Sequence, residues 1–372
     1  MIDAVELTRK LVQIDSINPT STERACADHV GAVLEKAGYT TRRFEYAPGR
    51  VSLVARWGES DSPALCFTGH LDTVPLGAAK WSHEPLGGEL DGGRMYGRGT
   101  SDMKSGVAAI VAAAVEIARL PKGKAGLTLV LTAGEETGCE GAVHLAKTPG
   151  ALGRAGAVVV AEPTGNEPLV GHKGALWLRV RTRGVTAHGS MPERGVNAIY
   201  KAARAVGRLE EFRFAVAEDA LLGRPSLNVG TLRGGLNTNS VPDLAELTVD
   251  IRTTPAVDHA ALRAQLAALL GPEAEVEALV DAESVRTRED DPFIAGVRDV
   301  LRRVRSTEPR VGSAPYFTDA SALTPAYGGV PTVILGPGEL ALCHQTDEFC
   351  ETVKIGQASE AYLQIARRWC GL

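Results

Sequence analysis

Residues 69 to 75, Gly-His-Leu-Asp-Thr-Val-Pro, place a histidine and a carboxylate two positions apart. An apolar run from residue 64 to residue 67 leads into them, which predicts a buried strand that delivers His70 and Asp72 at its carboxyl end. Residues two apart on a strand project to the same side, and an imidazole beside a carboxylate suits a metal ligand and its orienting partner. An ordinary loop histidine explains these residues equally well when they are considered alone.

More acidic and imidazole side chains follow other apolar segments or the loops after them. They are Asp102, Glu135, Glu136, Glu162 and His344. Each of the acidic residues alone is more typical of a helix cap or a surface salt bridge, and His344 alone is more typical of an ordinary loop histidine. In an open α/β sheet, however, the carboxyl ends of the strands line one crevice, so these groups should converge. Apposed carboxylates repel one another unless cations lie among them, and histidines with carboxylates suit zinc or a similar divalent ion.

The pattern of apolar segments predicts the elements that position these side chains. Continuous apolar strands alternate with helical patterns up to residue 173, which indicates an α/β fold with a mostly parallel central sheet. The segment 174–184 instead alternates apolar and polar residues, and we predict a smaller α+β insert there. The predicted domains are residues 1–173 with 284–372, and the insert 174–283. Thr20 and Glu23 have the spacing of a capping box.

Composition excludes several classes of function. The 372 residues carry a net charge of −5, so no basic field attracts nucleic acid or an anionic membrane. No run of 18 apolar residues occurs, and residues 1–10 lack the layout of a signal peptide. Six cysteines without a C-x-x-C pair are typical of reduced thiols in a cytoplasmic protein. The absence of a G-x-S-x-G motif argues against serine catalysis.

Six segments together resemble the M20 family of co-catalytic zinc peptidases and acylases. This family includes acetylornithine deacetylase, succinyl-diaminopimelate desuccinylase, aminoacylase and glutamate carboxypeptidases. The matching segments are 69–75, 97–106, 134–138, 161–164, 187–198 and 343–348. They span nearly the whole chain in family order. The resemblance implies a zinc-peptidase-like catalytic domain, with the insert as a lid or dimerisation domain and a homodimer as one possible assembly.

The resemblance also implies a role for each matching residue around two divalent metal ions, which would be Zn²⁺ or else Co²⁺ or Mn²⁺. The implied ligands are Asp102 as the bridge, His70 and Glu162 at the first ion, and Glu136 and His344 at the second. Asp72 is implied to orient His70. Glu135 is implied to act as the general base on a metal-bridging water. The peptide bond after Asp102 is cis in relatives.

Three residues of the insert are further candidates. By resemblance, His188 polarises the oxyanion, either in its own subunit or across a dimer interface, although a surface histidine in a polar turn is the alternative. Asn239 matches a family asparagine that contacts substrate. Arg252 lies on the polar face of a predicted strand, where a guanidinium suits the α-carboxylate of a substrate. A same-face pair with Asp250 is the alternative for this arginine.

The implied activity is acetylornithine deacetylase-like hydrolysis of an N-acyl-α-amino acid to a carboxylate and a free amino acid. Glu162, in place of an aspartate, is the form expected of acylases and carboxypeptidases in this family. A glutamate-type carboxypeptidase or a dipeptidase acting on short peptides is therefore an alternative. A non-catalytic ligand-binding homologue is another, and the presence of Glu135 argues against it. Thr318 and Asp319 loosely match a substrate-facing loop of relatives, which leaves the substrate open.

Overall fold

The computed structural model describes residues 2–58 and 60–372. The chain divides into two compact units. The first unit comprises Met1–Gly171, Arg286–Ser313 and Thr318–Leu372, and the second comprises His172–Val285 and Ala314–Phe317. The boundaries expected from the sequence leave residues 314–317 outside the insert. In the structure this segment belongs to the second unit, where the ring of Phe317 packs edge-on against Trp177 at a centroid distance of 5.8 Å.

The strands and helices follow the alternation expected of an α/β protein. The strands are β1 (Thr40–Ala47), β2 (Arg50–Trp57), β3 (Ser62–His70), β4 (Glu89–Asp91), β5 (Arg94–Tyr96), β6 (Ala125–Thr132), β7 (Ala155–Val160), β8 (Leu169–His172), β9 (Gly174–Arg183), β10 (Ser226–Gly234), β11 (Leu244–Thr253), β12 (Ala274–Ala282), β13 (Val285–Arg286), β14 (Gly312–Ala314), β15 (Thr332–Ile334) and β16 (Phe349–Glu351). The helices are α1 (Ala4–Val12), α2 (Arg24–Lys36), α3 (Ser105–Ala118), α4 (Glu140–Lys147), α5 (Ala198–Glu210), α6 (His259–Leu270), α7 (Pro292–Arg305), α8 (Ala320–Ala326) and α9 (Thr352–Cys370).

The main sheet of the first unit has the strand order β1-β2-β6-β3-β7-β15-β8-β13, and β14 pairs with β8. The four central strands β6, β3, β7 and β15 are parallel, while β2 and β8 flank them as antiparallel neighbours. This confirms the predicted α/β fold with its mostly parallel central sheet. Because parallel strands end at the same edge, the segments that follow β3, β6, β7 and β15 start close together. In the register of the sheet, His70 lies opposite Thr132.

The burial of these elements explains why the sequence forms them. Every residue of β6 is buried, as expected for a parallel strand covered on both faces. The alanine-rich helix α3 is also almost entirely buried and packs against α1 and α9. Gly106 in its first turn lies so close to the Ala161 carbonyl oxygen that a Cβ atom would stand 2.2 Å from it. The small residue therefore permits the start of α3 to approach the end of β7.

The second unit contains an antiparallel sheet of order β10-β11-β9-β12. Strand β11 alternates strictly, and its side chains Ala245, Leu247, Val249 and Ile251 are buried in a core that also includes residues of α5 and α6. Strand β12 was not anticipated from the sequence. The reason is physical: only Val280 and Ala282 are fully buried, and a register shift between Ala278 and Val280 breaks the alternation of buried and exposed residues.

The predicted capping box of Thr20 and Glu23 is wrong. Helix α2 begins at Arg24, and the Glu23 side chain makes no cap hydrogen bond. Its carboxylate is instead fully buried, with Oε1 2.7 Å from Nη2 of Arg50. Thr20 donates its hydroxyl to the carbonyl oxygen of Ile17 at 3.3 Å. Within the described residues, the helices are all too short or too polar to cross a membrane.

Candidate metal centre

His70, Asp102 and Glu162 form the first of two groups of candidate ligands. Their ligand atoms all lie within 4.8 Å of one another. His70 is the last residue of β3 and is buried, and its Nε2 atom is 3.0 Å from Oδ1 of Asp102 and 3.9 Å from Oε1 of Glu162. Glu162 follows the end of β7 by two residues. The parallel sheet therefore brings two of these ligands together, as the sequence predicts.

Asp102, Glu136 and His344 form the second group, again with ligand atoms within 4.8 Å of one another. The Nε2 atom of His344 lies 3.4 Å from Oδ2 of Asp102 and 3.2 Å from the Glu136 carboxylate. Asp102 thus belongs to both groups, and its two carboxylate oxygens face different histidines. A shared carboxylate of this kind would allow two metal ions to lie about 3.5–4 Å apart.

The segment that carries Asp102 is held from several sides. Met103 follows it through a cis peptide bond, as the resemblance implies, and its Sδ atom accepts a hydrogen bond from the backbone N–H of His70 at 3.2 Å. The next residue, Lys104, is buried and donates its Nζ atom to the carbonyl oxygens of Leu11 and Ile14 at 2.9 and 2.8 Å. These contacts tie the segment of Asp102 to β3 and to the end of α1.

The adjacent residues Glu135 and Glu136 point in different directions. Glu136 joins the second group of ligands, whereas the Glu135 carboxylate lies 3.8 Å from the Sγ atom of Cys139 and belongs to neither group. The backbone N–H groups of both glutamates donate to the carboxylate of Asp72 at 3.2 Å. Asp72 therefore fixes the backbone from which the two side chains diverge.

Asp72 contacts His70 in a way that the sequence did not specify. The Nδ1 atom of His70 is 3.0 Å from the backbone carbonyl oxygen of Asp72 and 3.6 Å from its side-chain Oδ1. On its other side the Asp72 carboxylate accepts a hydrogen bond from Nδ2 of Asn18 at 3.1 Å, and Arg50 donates to Oδ1 of Asn18 at 2.8 Å. A buried polar chain thus supports Asp72 from behind.

The carboxylates of this centre have perturbed protonation equilibria. Burial, with the neighbouring Glu162 charge, raises the pKa of Glu135 well above its ordinary value, and burial also raises the pKa of Glu162. Burial disfavours the charged form of Asp102, but hydrogen bonds from both histidines outweigh it and lower the pKa of that carboxyl. Hydrogen bonds to Asp102 and Glu136 raise the pKa of His344 to about 10. Buried carboxylates this close to one another repel in their charged forms, and a cation among them would relieve that repulsion.

Thr318 and Asp319 do not face an open surface of the first unit. Both side chains are buried, and the hydroxyl of Thr132 donates a hydrogen bond to the Asp319 carboxylate. Burial raises the pKa of Asp319 to about 6. The charge of Asp319 in turn contributes to the raised pKa values of Glu135 and Glu162, so this residue lies near the candidate centre. The loose match of Thr318 and Asp319 to a substrate-facing loop stays a prediction.

Sequence reasoning missed Arg98 and Glu348. Both side chains are buried, and Oε1 of Glu348 accepts a hydrogen bond from the backbone N–H of Asp102 at 3.0 Å. Their position could have identified them, because Arg98 lies in the segment 97–106 and Glu348 in the segment 343–348, and both segments resemble family motifs. A charged residue with no assigned role within such a motif is a reasonable candidate for supporting the site.

The second unit holds the remaining predicted residues. His188 is exposed, with Nδ1 2.7 Å from the hydroxyl of Ser190, and Gly189 next to it donates its N–H to the carbonyl oxygen of Asn239 at 2.8 Å. His188 and Asn239 therefore lie on neighbouring segments of this unit. Arg252 pairs with Asp250, with Nε 3.0 Å from Oδ1, so the alternative contact considered for this arginine is present.

Comparisons with known proteins agree with this geometry. The sequence pattern of Peptidase family M20/M25/M40 matches residues 66–368. A succinyl-diaminopimelate desuccinylase from Cereibacter sphaeroides is 32% identical over 392 residues, covering 98% of each chain. An acetylornithine deacetylase from Vibrio atlanticus is 29% identical over 387 residues, also covering 98% of each. An M20 family metallo-carboxypeptidase from Sulfolobus solfataricus shares the fold, with a TM-score of 0.85, 18% identity and complete coverage of both chains. The chain therefore belongs to peptidase family M20/M25/M40 and is a hydrolase of that family.

Proposed function

We propose that this protein hydrolyses the amide bond of N-acyl-α-amino acids, releasing a carboxylate and a free amino acid. The observation that carries the proposal is the pair of ligand groups that share Asp102, with Glu135 close to them but in neither group. The curated relatives that cover 98% of the chain are named as a desuccinylase and a deacetylase, which supports acyl removal over peptide cleavage.

The donor set of the first unit fits two divalent metal ions, and we propose zinc as the metal. Two imidazoles with three carboxylates are the nitrogen and oxygen ligands that zinc accepts. The buried carboxylates with raised pKa values also support this assignment, because cations would relieve their mutual repulsion. His70 and Glu162 would hold one ion, Glu136 and His344 the other, and Asp102 both. When bound, such ions would lower the pKa of a coordinated water towards neutral pH and polarise the scissile carbonyl.

The residues of the chain supply the proton transfers and their alignment. In the proposed reaction Glu135 accepts a proton from the attacking water, whose oxygen forms a bond to the acyl carbon. The carbon–nitrogen bond then breaks, and Glu135 returns the proton to the leaving amine. Asp72 holds the backbone of Glu135 through a hydrogen bond of 3.2 Å, so the base stays oriented during both transfers.

The second unit is proposed to bind the substrate. His188 would stabilise the oxyanion with its ring, and Asn239 would contact the substrate nearby in the same unit. Arg252 would bind the α-carboxylate, which would replace the pairing with Asp250. Its guanidinium carbon also lies 6.0 and 5.9 Å from the ring centroids of Trp177 and Phe317, and these flat surfaces restrict its orientation.

A homodimer and a cytoplasmic location are part of the proposal. Strand β10 is an edge strand of its sheet, and exposed apolar residues occur in the same unit, among them Leu236, whose side chain is 98% exposed. Unpaired edges and exposed apolar groups favour association with a second copy. Light scattering on the purified protein measures this directly. All six cysteines are free, which suits a reducing compartment.

The proposed activity is tested with a panel of N-acetyl, N-succinyl and N-formyl amino acids together with dipeptides. Each compound is offered to metal-free protein and to protein reloaded with zinc. We expect turnover of at least one N-acyl amino acid, lost without metal and restored by zinc. Cleavage of dipeptides alone would instead identify a dipeptidase or carboxypeptidase. Binding without turnover of any compound would identify a non-catalytic homologue.

A further inference from the structure

Arg98 and Glu348 form a buried ion pair in the first unit. Nη1 of Arg98 lies 2.6 Å from Oε2 of Glu348, and the two side chains are 1% and 0% exposed. Removing two charges from water costs several kcal/mol for each ion, and an apolar pair of similar volume is often at least as stable. Stability alone therefore gives little reason for an ion pair at this position, and its other contacts indicate what it does.

Glu348 holds the loop that carries the bridging aspartate. Its Oε1 atom accepts hydrogen bonds from three backbone N–H groups, those of Gly99 at 3.1 Å, Ser101 at 2.8 Å and Asp102 at 3.0 Å. A single carboxylate oxygen thus fixes the backbone position of Asp102. Because Asp102 directs Oδ1 to His70 and Oδ2 to His344, a shift of its backbone displaces an oxygen in both ligand groups.

Arg98 connects this carboxylate to the two histidine segments. Its Nη1 atom also donates to the carbonyl oxygen of Gln345, the residue after His344, at 3.2 Å. Its Nη2 atom donates to the carbonyl oxygen of Pro75, in the segment that begins with Gly69 and contains His70, at 3.1 Å. One guanidinium therefore spans segments that are far apart in sequence, each of which supplies a candidate ligand.

We propose that Arg98 and Glu348 are positioning residues that make the two metal subsites form together. The proposal rests on the proposed two-metal function. Neither residue belongs to a group of candidate ligands, and both act through the backbone of the segments that carry His70, Asp102 and His344. Loss of the pair should therefore weaken both subsites by similar factors, whereas loss of a ligand such as Glu162 would weaken chiefly one.

The test is a titration of metal-free protein with cobalt(II) alone, followed by visible absorption and by the number of ions bound. Glu348→Gln keeps one oxygen acceptor but places an amide N–H against Arg98, so two donors face each other. Arg98→Lys keeps the charge, but one ammonium cannot replace the planar group that contacts Pro75, Gln345 and Glu348. Glu351→Gln is the control, because Glu351 lies at the end of β16, directly after the segment 343–348, and its carboxylate also meets a cation, 3.6 Å from Nζ of Lys354.

We expect Glu348→Gln to lower the affinity of both subsites roughly 10–100-fold, the range known for groups that support metal ligands. Arg98→Lys should lower the cobalt(II) affinity of both subsites by a smaller factor. The Glu351→Gln variant should bind cobalt(II) as tightly as the unaltered protein does. Unchanged affinity in a folded Glu348→Gln or Arg98→Lys variant, or weakening of one subsite only, would overturn the inference and leave the proposed function standing. If the unaltered protein itself bound fewer than two ions, the two-metal proposal would fail and this inference with it.

Discussion

Replacement of Asp72 by asparagine tests how Glu135, the proposed base, and Glu136, a candidate ligand, are held. The carboxylate accepts hydrogen bonds from the backbone N–H of Glu135 on Oδ1, and from the backbone N–H of Glu136 and Nδ2 of Asn18 on Oδ2. An asparagine has only one oxygen. If the amide nitrogen takes the place of Oδ1, one donor loses its acceptor. If it takes the place of Oδ2, two donors lose theirs, so the first orientation is the more stable one. The bond to Glu135 is therefore the one that we expect to break.

The size of the effect follows from these contacts. A buried donor without a partner costs about 1–3 kcal/mol, and a hydrogen bond to a charged group exceeds one to a neutral group by about 1 kcal/mol. One buried donor loses its acceptor, which costs about 2 kcal/mol, and two remaining hydrogen bonds go to a neutral instead of a charged acceptor, which costs about 1 kcal/mol each. The free energy of unfolding should therefore fall by about 4 kcal/mol. The Glu135 backbone loses its restraint as well. A displacement of about 1 Å at a reacting group lowers the rate about 100-fold, and we expect kcat to fall by this factor.

The measurements are urea unfolding of the metal-free protein and kcat on the best substrate of the panel. Asp15→Asn is the matched control, because the exposed Asp15 accepts a single backbone hydrogen bond, from Ile17 at 3.0 Å. That variant should lose less than about 1 kcal/mol and keep its kcat. If Asp72→Asn behaved like the control in both measurements, Asp72 would not be what holds the glutamates.

Three further outcomes are expected. Glu135→Gln should keep the metal content and lose kcat by roughly 10²–10⁴-fold, the usual contribution of a general base, so retained turnover would remove Glu135 from that role. His188→Ala should lower kcat at unchanged metal content, and a loss of metal would show that the residue acts as a ligand. Burial lowers the pKa of His172 from 6.5 to about 4, so the stability that depends on neutral His172 is complete above pH 6.5 and is lost as the pH falls towards 4. From pH 7 to pH 5 the loss should be about 2 kcal/mol, and His172→Gln should not show it.

The candidate ligands were predictable because their positions depend on the topology of the sheet. Apolar strands that read as parallel must end at one edge, and this places His70 and Glu162 together without knowledge of any contact. The position of Asp102 depends on a long glycine-rich loop, so its place came from the resemblance to a family and not from periodicity. The structure adds the close approach of Gly106 to the Ala161 carbonyl oxygen, which brings the segment after Asp102 close to the end of β7.

The supporting groups were not predictable, because their roles depend on tertiary contacts between distant segments. Glu23 and Glu348 both occupy polar stretches of sequence, where a glutamate is normally exposed. Both are buried in the structure because an arginine from another segment meets each of them, Arg50 and Arg98 respectively. A pattern within one sequence contains no information on which arginine will meet which glutamate. The same limit applies to Asn18 behind Asp72.

The wide spacing of the ligands along the chain has a consequence for synthesis. His344 lies 208 residues after Glu136, and Glu348 lies 249 residues after Gly99. While the ribosome is still making the segments in between, the emerging protein has His70, Asp102 and Glu162 but neither His344 nor Glu348. The nascent chain thus offers only the first group of candidate ligands. If the proposed two-ion function holds, the protein stays inactive until the segment up to residue 348 has been added and has folded back.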